Sequence, residues 1–271
     1  MTRSAATAGP AAQRAAVTAG RAAGDLRAEC ARLLAEVSDQ IEQVLASVDR
    51  IGQATSAAAV AARRDGRLLQ RADLAAVRPL AAELLDRHPA LTAGAGVVLA
   101  PGALADVPRW IEWWRSVQGP GPEQLQVDLD PESAEFYDYT MTEWYRGPQR
   151  TGGPSVAGPY VDYICTHQYT FTLSAPVWCA GEFTGVAGCD ILAGQIERLV
   201  EPGLSRLGRP AVLVSGSGRV IASNLPAVLP GTAARRQPAC AGLIPVTVPA
   251  GQTEPESGPG VLPWTILSHL A

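Results

Sequence analysis

Two apolar runs joined by a tight turn restrict this chain more than any other feature. Tyr169 to Val177 alternates in a strand-like period, Cys179-Ala180-Gly181-Glu182 reads as a turn, and Phe183 to Cys189 reads as the partner strand. A connection that short leaves no room for the dozen or so residues of a parallel crossover, so the pair must be antiparallel. Residues 211–223 carry the same signal, with Gly216-Ser217-Gly218 between two β-rich runs. Gly96 to Ala100 and Arg109 to Arg115 add strands, and the tail at 241–270 offers two more around a Pro/Gly loop at 249–260. Residues 119–133 and 147–159 are rich in Pro and Gly and read as connections.

Upstream of the strands the period is helical. Leu26, Cys30, Leu33, Val37, Ile41, Val44, Val48 and Ile51 recur at three- and four-residue spacings, a heptad-like seam with one stutter after Val37. Asp25 suits the N-cap and Gly52 the stop. This seam packs either on the chain's own sheet or on a second copy or partner protein, so helix 25–51 is the candidate contact for a homodimer. Residues 54–64 and 71–87 read as shorter helices, the latter closed by His88-Pro89, and 190–200 as another. Residues 1–24, Ala-rich and broken by Arg, Gly and Pro, read as a disordered arm. Helices followed by hairpin-linked strands make an α+β fold.

Charge and composition exclude several functions. The chain of 271 residues carries −4 at neutral pH, and all 22 basic residues are Arg. Without Lys there is no Schiff-base lysine and no phosphate-loop lysine. A mildly acidic chain is a poor nucleic-acid surface. No apolar run reaches the roughly 18 residues of a membrane span, and the first 24 residues hold no apolar leader core. The expectation is a cytoplasmic chain with no membrane span and no cofactor. Cys30, Cys165, Cys179, Cys189 and Cys240, odd in number and irregular in spacing, read as reduced buried thiols; a Cys179–Cys189 bridge or a metal site is the alternative.

The charge is unevenly spread. Residues 121–145 hold seven acids and no base, and the remainder of the chain is therefore net positive at +3. Phe136, Tyr137, Tyr139, Trp144, Tyr145, Tyr160 and Tyr163 lie among and just after these acids, with Asp162. Aromatic faces attract a desolvated ammonium by roughly 2 kcal/mol, and a carboxylate neutralises it. The competing account is that the aromatics are core and the acids solvated. Of Trp110, Trp113 and Trp114, at most one is expected at a ligand. Cys165 and His167, two apart, would share a strand face; they lack the second ligand pair of a metal site and the orienting acid of a nucleophile.

The run Phe136-Tyr137-Asp138-Tyr139, Glu143-Trp144-Tyr145 and Gly158-Pro159-Tyr160-Val161-Asp162 resembles the ligand-binding module of Cache sensor domains. So does Leu173-Ser174-Ala175-Pro176-Val177 followed by Gly181-Glu182-Phe183-Thr184-Gly185-Val186-Ala187-Gly188-Cys189-Asp190. Ala211 to Asn224 resembles the opening hairpin of that family's second module, and Pro263 to Leu267 its closing strand. The resemblance implies a long N-terminal helix (25–52), a PAS-like antiparallel sheet module that binds ligand (53–200), and a smaller second PAS-like module (201–271). It implies a pocket containing Tyr137, Tyr139, Trp144, Tyr145, Tyr160, Asp162 and Asp190, with Asp190 holding an ammonium. Family members that bind amino acids carry an Arg two residues before the Trp; here that position is Thr142. The expected function is therefore a non-enzymatic sensor of a small cationic amine or amino-acid-like ligand that relays occupancy to a partner. The alternative is a ligand-free dimerising scaffold, and a more distant one an enzyme using Cys165 and His167. Cache sensors are usually extracytoplasmic and held between membrane spans, which this sequence lacks.

Overall fold

The computed structural model describes residues 10–117, 121–246 and 262–269. Residues 1–9 of the expected arm and the 249–260 loop lie outside the described residues. The fold is α+β, with a long N-terminal helix followed by two antiparallel sheets. Among the described residues no helix is long and apolar enough to cross a membrane.

Helix α1 runs Pro10–Arg64, longer at both ends than the seam predicts. Residues 10–24, expected to be disordered, are helical, because Ala is the strongest helix former and an isolated Gly costs only about 1 kcal/mol. Gly52 does not stop the helix. It faces the sheet, where a Cβ would sit 3.5 Å from Ala187 and 3.6 Å from Val177, so its small size serves packing. The expected helix at 54–64 is the end of α1. All eight seam residues are buried within the chain, and Thr55, Ala59 and Ala62 continue the stripe. That seam is covered by its own fold, so it is not available as the contact for a second copy.

The unit formed by Ser38–Leu199 holds the larger sheet. Arg71–Leu74 is a 3-10 turn and α2 spans Val77–Arg87, so the expected helix at 71–87 is split. The strands are β1 (Thr92–Leu99), β2 (Ile111–Arg115), β3 (Glu123–Gln124), β4 (Ser155–Val161), β5 (Tyr169–Cys179) and β6 (Glu182–Leu192). Helix α3 is Glu143–Thr151, and α4 is Ala193–Arg206. The lateral order is β3-β2-β1-β6-β5-β4, and every pairing is antiparallel. The β5–β6 hairpin turns at Ala180 and Gly181, both with positive φ. Two connections were misjudged. Residues 147–159 hold the end of α3 and most of β4, and 119–133 holds β3. Pro148 and Pro159 suppress the regular-structure signal, yet helix and strand form because α3 packs on β4 and β5.

Alternation divides this sheet into two unlike faces. Ala95, Val97, Leu173, Val177, Ala187 and Cys189 occupy one face, buried on the α1 side where Gly52 meets Val177 and Ala187. The opposite face carries Gly94, Gly96 and Val98 on β1, Val186, Gly188 and Asp190 on β6, and Thr172 and Ser174 on β5. Small and polar residues there let other chain segments lie directly on the strands.

The second unit combines α1 up to residue 37 with residues 200–246 and 263–269. Its sheet comprises β7 (Ala211–Val214), β8 (Val220–Ser223), β9 (Ile244–Pro245) and β10 (Thr265–Ser268), in the order β8-β7-β10-β9. Val212, Val214, Val220 and Val228 form its core. Asn224 donates to the carbonyls of Leu204 and Arg209, both at 2.8 Å, fastening the end of β8 to the chain around α4.

Gly96 shows how tightly β1 and β2 approach: a Cβ there would lie 2.0 Å from the Glu112 carbonyl oxygen, which is backbone and cannot rotate away. Gly96→Ala should cost at least about 2 kcal/mol by overpacking. Val60→Ala, at an exposed position of α1, should stay within about 0.5 kcal/mol of wild type. Urea unfolding of both variants checks the contrast; a Gly96→Ala protein as stable as wild type contradicts this packing.

Candidate functional site

A cleft opens on the small-residue face of the larger sheet. It encloses about 380 Å³, part of it open to solvent, among Val98, Ile111, Trp113, Leu125, Tyr137, Trp144, Tyr160, Asp162, Ile164, Cys165, Thr172 and Asp190.

Its floor depends on glycine. Trp113, on β2, lies across the neighbouring strands. A Cβ at Gly94 would stand 2.6 Å from the Trp113 Nε1, and one at Gly188 3.2 Å from its Cη2. A side chain at Gly94 would displace the indole, and one at Gly188 would crowd it. Leu125 is held by a hydrogen bond from its N–H to the Trp113 carbonyl, 2.8 Å. Trp144 enters from α3, whose position is fixed where Ser174 donates to the Trp144 carbonyl, 2.7 Å.

Asp190 is the chemical centre. Thr172, its lateral neighbour on β5, donates to Asp190 Oδ1 at 2.7 Å. A hydroxyl carries one hydrogen, so the Tyr160 hydroxyl donates to Thr172 in turn, completing a Tyr160–Thr172–Asp190 relay. Burial pushes the Asp190 carboxyl up to about 7, against the Thr172 hydrogen bond, and the Asp162 charge adds to the rise. No Arg or His lies among the lining residues, so this carboxyl has no basic partner in the cleft.

Asp162 does different work. Its Oδ1 accepts from the backbone N–H groups of Ile164 and Cys165, at 3.0 and 3.1 Å, and its Oδ2 from Thr166 at 2.8 Å. Its own N–H donates to the Gln168 carbonyl. Asp162 therefore staples the β4–β5 loop over the cleft, and its oxygens are largely engaged.

Of the seven residues expected at the site, Tyr137, Trp144, Tyr160, Asp162 and Asp190 line the cleft together. Tyr139 and Tyr145 do not. Tyr139 is fully buried and donates to the Leu99 carbonyl at 2.8 Å. Tyr145 packs edge-on against Tyr139 and Phe183, with centroids 5.4 and 5.5 Å apart. Both belong to the aromatic core behind the lining, and burial pushes the Tyr139 hydroxyl up to about 12. The acidic run is displaced more broadly. None of the seven acids in 121–145 lines the cleft, and all but half-buried Asp138 are exposed. Asp128 and Asp130 cap local turns, and Glu143 pairs with Arg150. Of the three tryptophans at 110–114, Trp113 alone lines the cleft, as does Cys165, which was weighed only with His167; Thr172 was not singled out, and the strand alternation of β5 is the signal that would have found it.

Cys165 faces the cleft, whereas His167 is exposed in a loop with φ 54°, so the two do not act as a pair. Burial, with Asp190 and Asp162 nearby, drives the Cys165 thiol well above its usual range. The candidate ligand atoms of Asp162, Cys165 and Asp190 lie within 4.8 Å of one another. As a metal set they fit poorly, because Asp162 is engaged by three amides and a thiolate is costly there. All five cysteines are free, including Cys179 and Cys189.

Residues 91–198 match the family model for the first PDC sensor domain of proteins like methyl-accepting chemotaxis proteins. Three solved structures share the fold. The ligand-binding domain of the Pseudomonas aeruginosa PAO1 amino acid chemoreceptor PctB, in complex with L-Arg, is 16% identical, with TM-score 0.53 over 90% of this chain and 92% of that one. That of the Pseudomonas fluorescens chemoreceptor CtaA, in complex with L-leucine, is 18% identical, with TM-score 0.52 over 92% and 94%. That of the Campylobacter jejuni chemoreceptor Tlp3, in complex with L-norvaline, is 14% identical, with TM-score 0.52 over 76% and 70%. The fold is thus one that these chemoreceptor domains share, and the match over 91–198 to a sensor-domain model agrees with the resemblance of the sequence to Cache sensor domains.

The raised Asp190 carboxyl fixes the sign of a pH effect. Burial holds this proton on the folded protein up to about pH 7, whereas the unfolded chain releases it near 3.8, the ordinary value of an aspartate. Between those values the folded state binds more protons, so stability falls as pH rises. The contribution is fully present below about pH 4 and is lost through about pH 7, amounting to roughly 4 kcal/mol at most. Asp190→Asn should flatten that slope in urea unfolding from pH 4.5 to 7.5. Parallel curves for wild type and variant would show that Asp190 does not titrate there.

Proposed function

We propose that the cleft of the larger module receives a small ligand with a cationic nitrogen, held by Asp190 and enclosed by Trp144, Tyr137 and Tyr160, and that occupancy is relayed to a partner. One observation carries the reading: a buried carboxyl stands in an aromatic cleft whose lining contains no basic residue. An ionised carboxylate so placed is expensive until a counter-charge arrives, and an ammonium supplies both charge and hydrogen-bond donors. Aromatic faces strengthen the attraction once water is displaced. The solved chemoreceptor domains of this fold hold amino acids, each of which bears such a nitrogen. The cleft has no nucleophile-and-base pair, so the reading is of binding rather than turnover.

A thermal-shift screen of amines and amino acids tests it. A ligand at 100 times its Kd adds about 2.7 kcal/mol, which at roughly 2–4 °C per kcal/mol is about 5–10 °C. For each hit, Asp190→Asn should abolish the shift, while Cys165→Ser should leave it. Binding requires the ionised carboxylate, so Kd for a permanently cationic ligand should rise about tenfold per pH unit below about pH 7. Carboxylic acids that shift melting where amines do not would overturn the assignment.

A further inference from the structure

One wall of the cleft is a loop that carries one of its two carboxylates. Residues 162–168 join β4 to β5, and the ladder between these strands ends at the Val161–Tyr169 pair. Ile164 and Cys165 turn inward and line the cleft, while His167, Gln168 and Tyr163, which is 73% exposed, face solvent. The loop closes on itself in two ways. The Asp162 carboxylate accepts from the N–H groups of Ile164, Cys165 and Thr166, and the hydroxyls of Thr166 and Thr170 meet at 2.8 Å. His167 makes the return at φ 54°, in the left-handed region where non-glycine residues are uncommon. A single carboxylate is thus the main clasp of the loop.

That clasp stands beside Asp190, their carboxylate oxygens lying within 4.8 Å of each other. Two carboxylates this close and this sheltered do not both ionise without cost. The other groups around Asp190 supply no counter-charge. Burial keeps the proton on Tyr137, on Tyr160 of β4 and on Cys165 of the loop. Thr172 of β5, Trp113 of β2 and Trp144 of α3 are neutral. Arg115 of β2 acts on Cys165 but lies outside the lining and is tied to Glu123. While Asp190 keeps its proton, Asp162 faces no opposing charge and the clasp stands. Once Asp190 ionises, the pair repels, and two routes relieve it. A cation enters between them, or the loop withdraws and carries Asp162 out to water. Asp190 is paired with Gly94 on one side and Thr172 on the other, so the loop is the part that moves.

We propose that loop 162–168 is a pH-gated lid: ionisation of Asp190 in the empty cleft loosens the Asp162 clasp and opens the way in, and a cation between the two carboxylates lets the loop close. This rests on Asp190 as the uncompensated carboxyl of the proposed cation site, and it requires no particular ligand. The closed state keeps the Asp190 proton up to about pH 7, whereas the open state, with its carboxyl in water, releases it earlier. Opening therefore gains as pH rises toward about 7 and levels off above it.

Hydrogen exchange of the ligand-free full chain, followed by NMR from pH 5 to pH 8.5 and corrected for intrinsic rates, tests this. Protection at Ile164, Cys165 and Thr166 should fall at least about tenfold between pH 5 and pH 7 and then level off. These amides should exchange faster than those of the β5–β6 ladder and be insensitive to low urea, the mark of a local opening. Asp190→Asn should remove the pH dependence and leave the loop protected throughout. Asp162→Asn keeps an acceptor but no charge and should also remove it, which decides the matter if the first variant does not fold. Loop amides that open only together with the ladder, protection that does not change with pH, or a pH dependence that survives either substitution would each overturn the lid. The cation at Asp190 stands or falls separately, by the amine screen.

Discussion

The cleft exists because two central-strand positions facing it have no side chains. Gly94 and Gly188 leave room for the Trp113 indole across β1 and β6, while Gly96 lets the β2 backbone approach β1. Everything on that side follows from this contact. With the indole down, Asp190 and Thr172 stand at its edge, Leu125 is drawn over it by the Trp113 carbonyl, and Trp144 closes from α3. A Cβ at these glycines would raise or expel the ring, and the polar groups would lose the apolar surroundings that perturb them. Close packing of backbone on indole therefore comes before electrostatics in the logic of the site.

The two cleft carboxylates illustrate how partners, rather than residue type, decide a role. Asp162 meets three amide donors and serves as a structural clasp for the β4–β5 loop. Asp190 accepts from the Thr172 hydroxyl, itself supported by Tyr160, with the Cys165 thiol and the Trp113 indole N–H beside it and no charged donor. The first is already satisfied by the protein, whereas the second is left for chemistry from outside. The pair also explains the inert thiol of Cys165, since two nearby negative charges and burial all oppose a thiolate.

Much of this was readable from local signals, and the misses have physical causes. The β5–β6 and β7–β8 hairpins follow from alternation and turn residues, which are local, and both are present. Helix α1 was underestimated because Gly52 was read as a terminator, when its missing side chain serves the sheet that lies against it. β4 was missed because Gly158 and Pro159 obscure its period, and only pairing with β5 makes it a strand. At the site, Tyr137, Trp144, Tyr160, Asp162 and Asp190 converge, but the density of acids near 121–145 pointed to the wrong carboxylates. Composition locates charge along the chain and is blind to which side of the fold it faces. Trp113 was beyond local reading, since its role depends on glycines on two other strands.

The two faces of the larger sheet are written into the same strands at alternating positions. On β6, Ala187 and Cys189 serve the helix side, while Gly188 and Asp190 serve the cleft. Recognition and fold maintenance are thus interleaved at a period of two, rather than assigned to separate segments. Evolution can retune what this module detects by single changes at every second residue, with the helix-side core untouched. An insertion of one residue in β5 or β6 has no such freedom, since it exchanges the two roles along the whole strand at once.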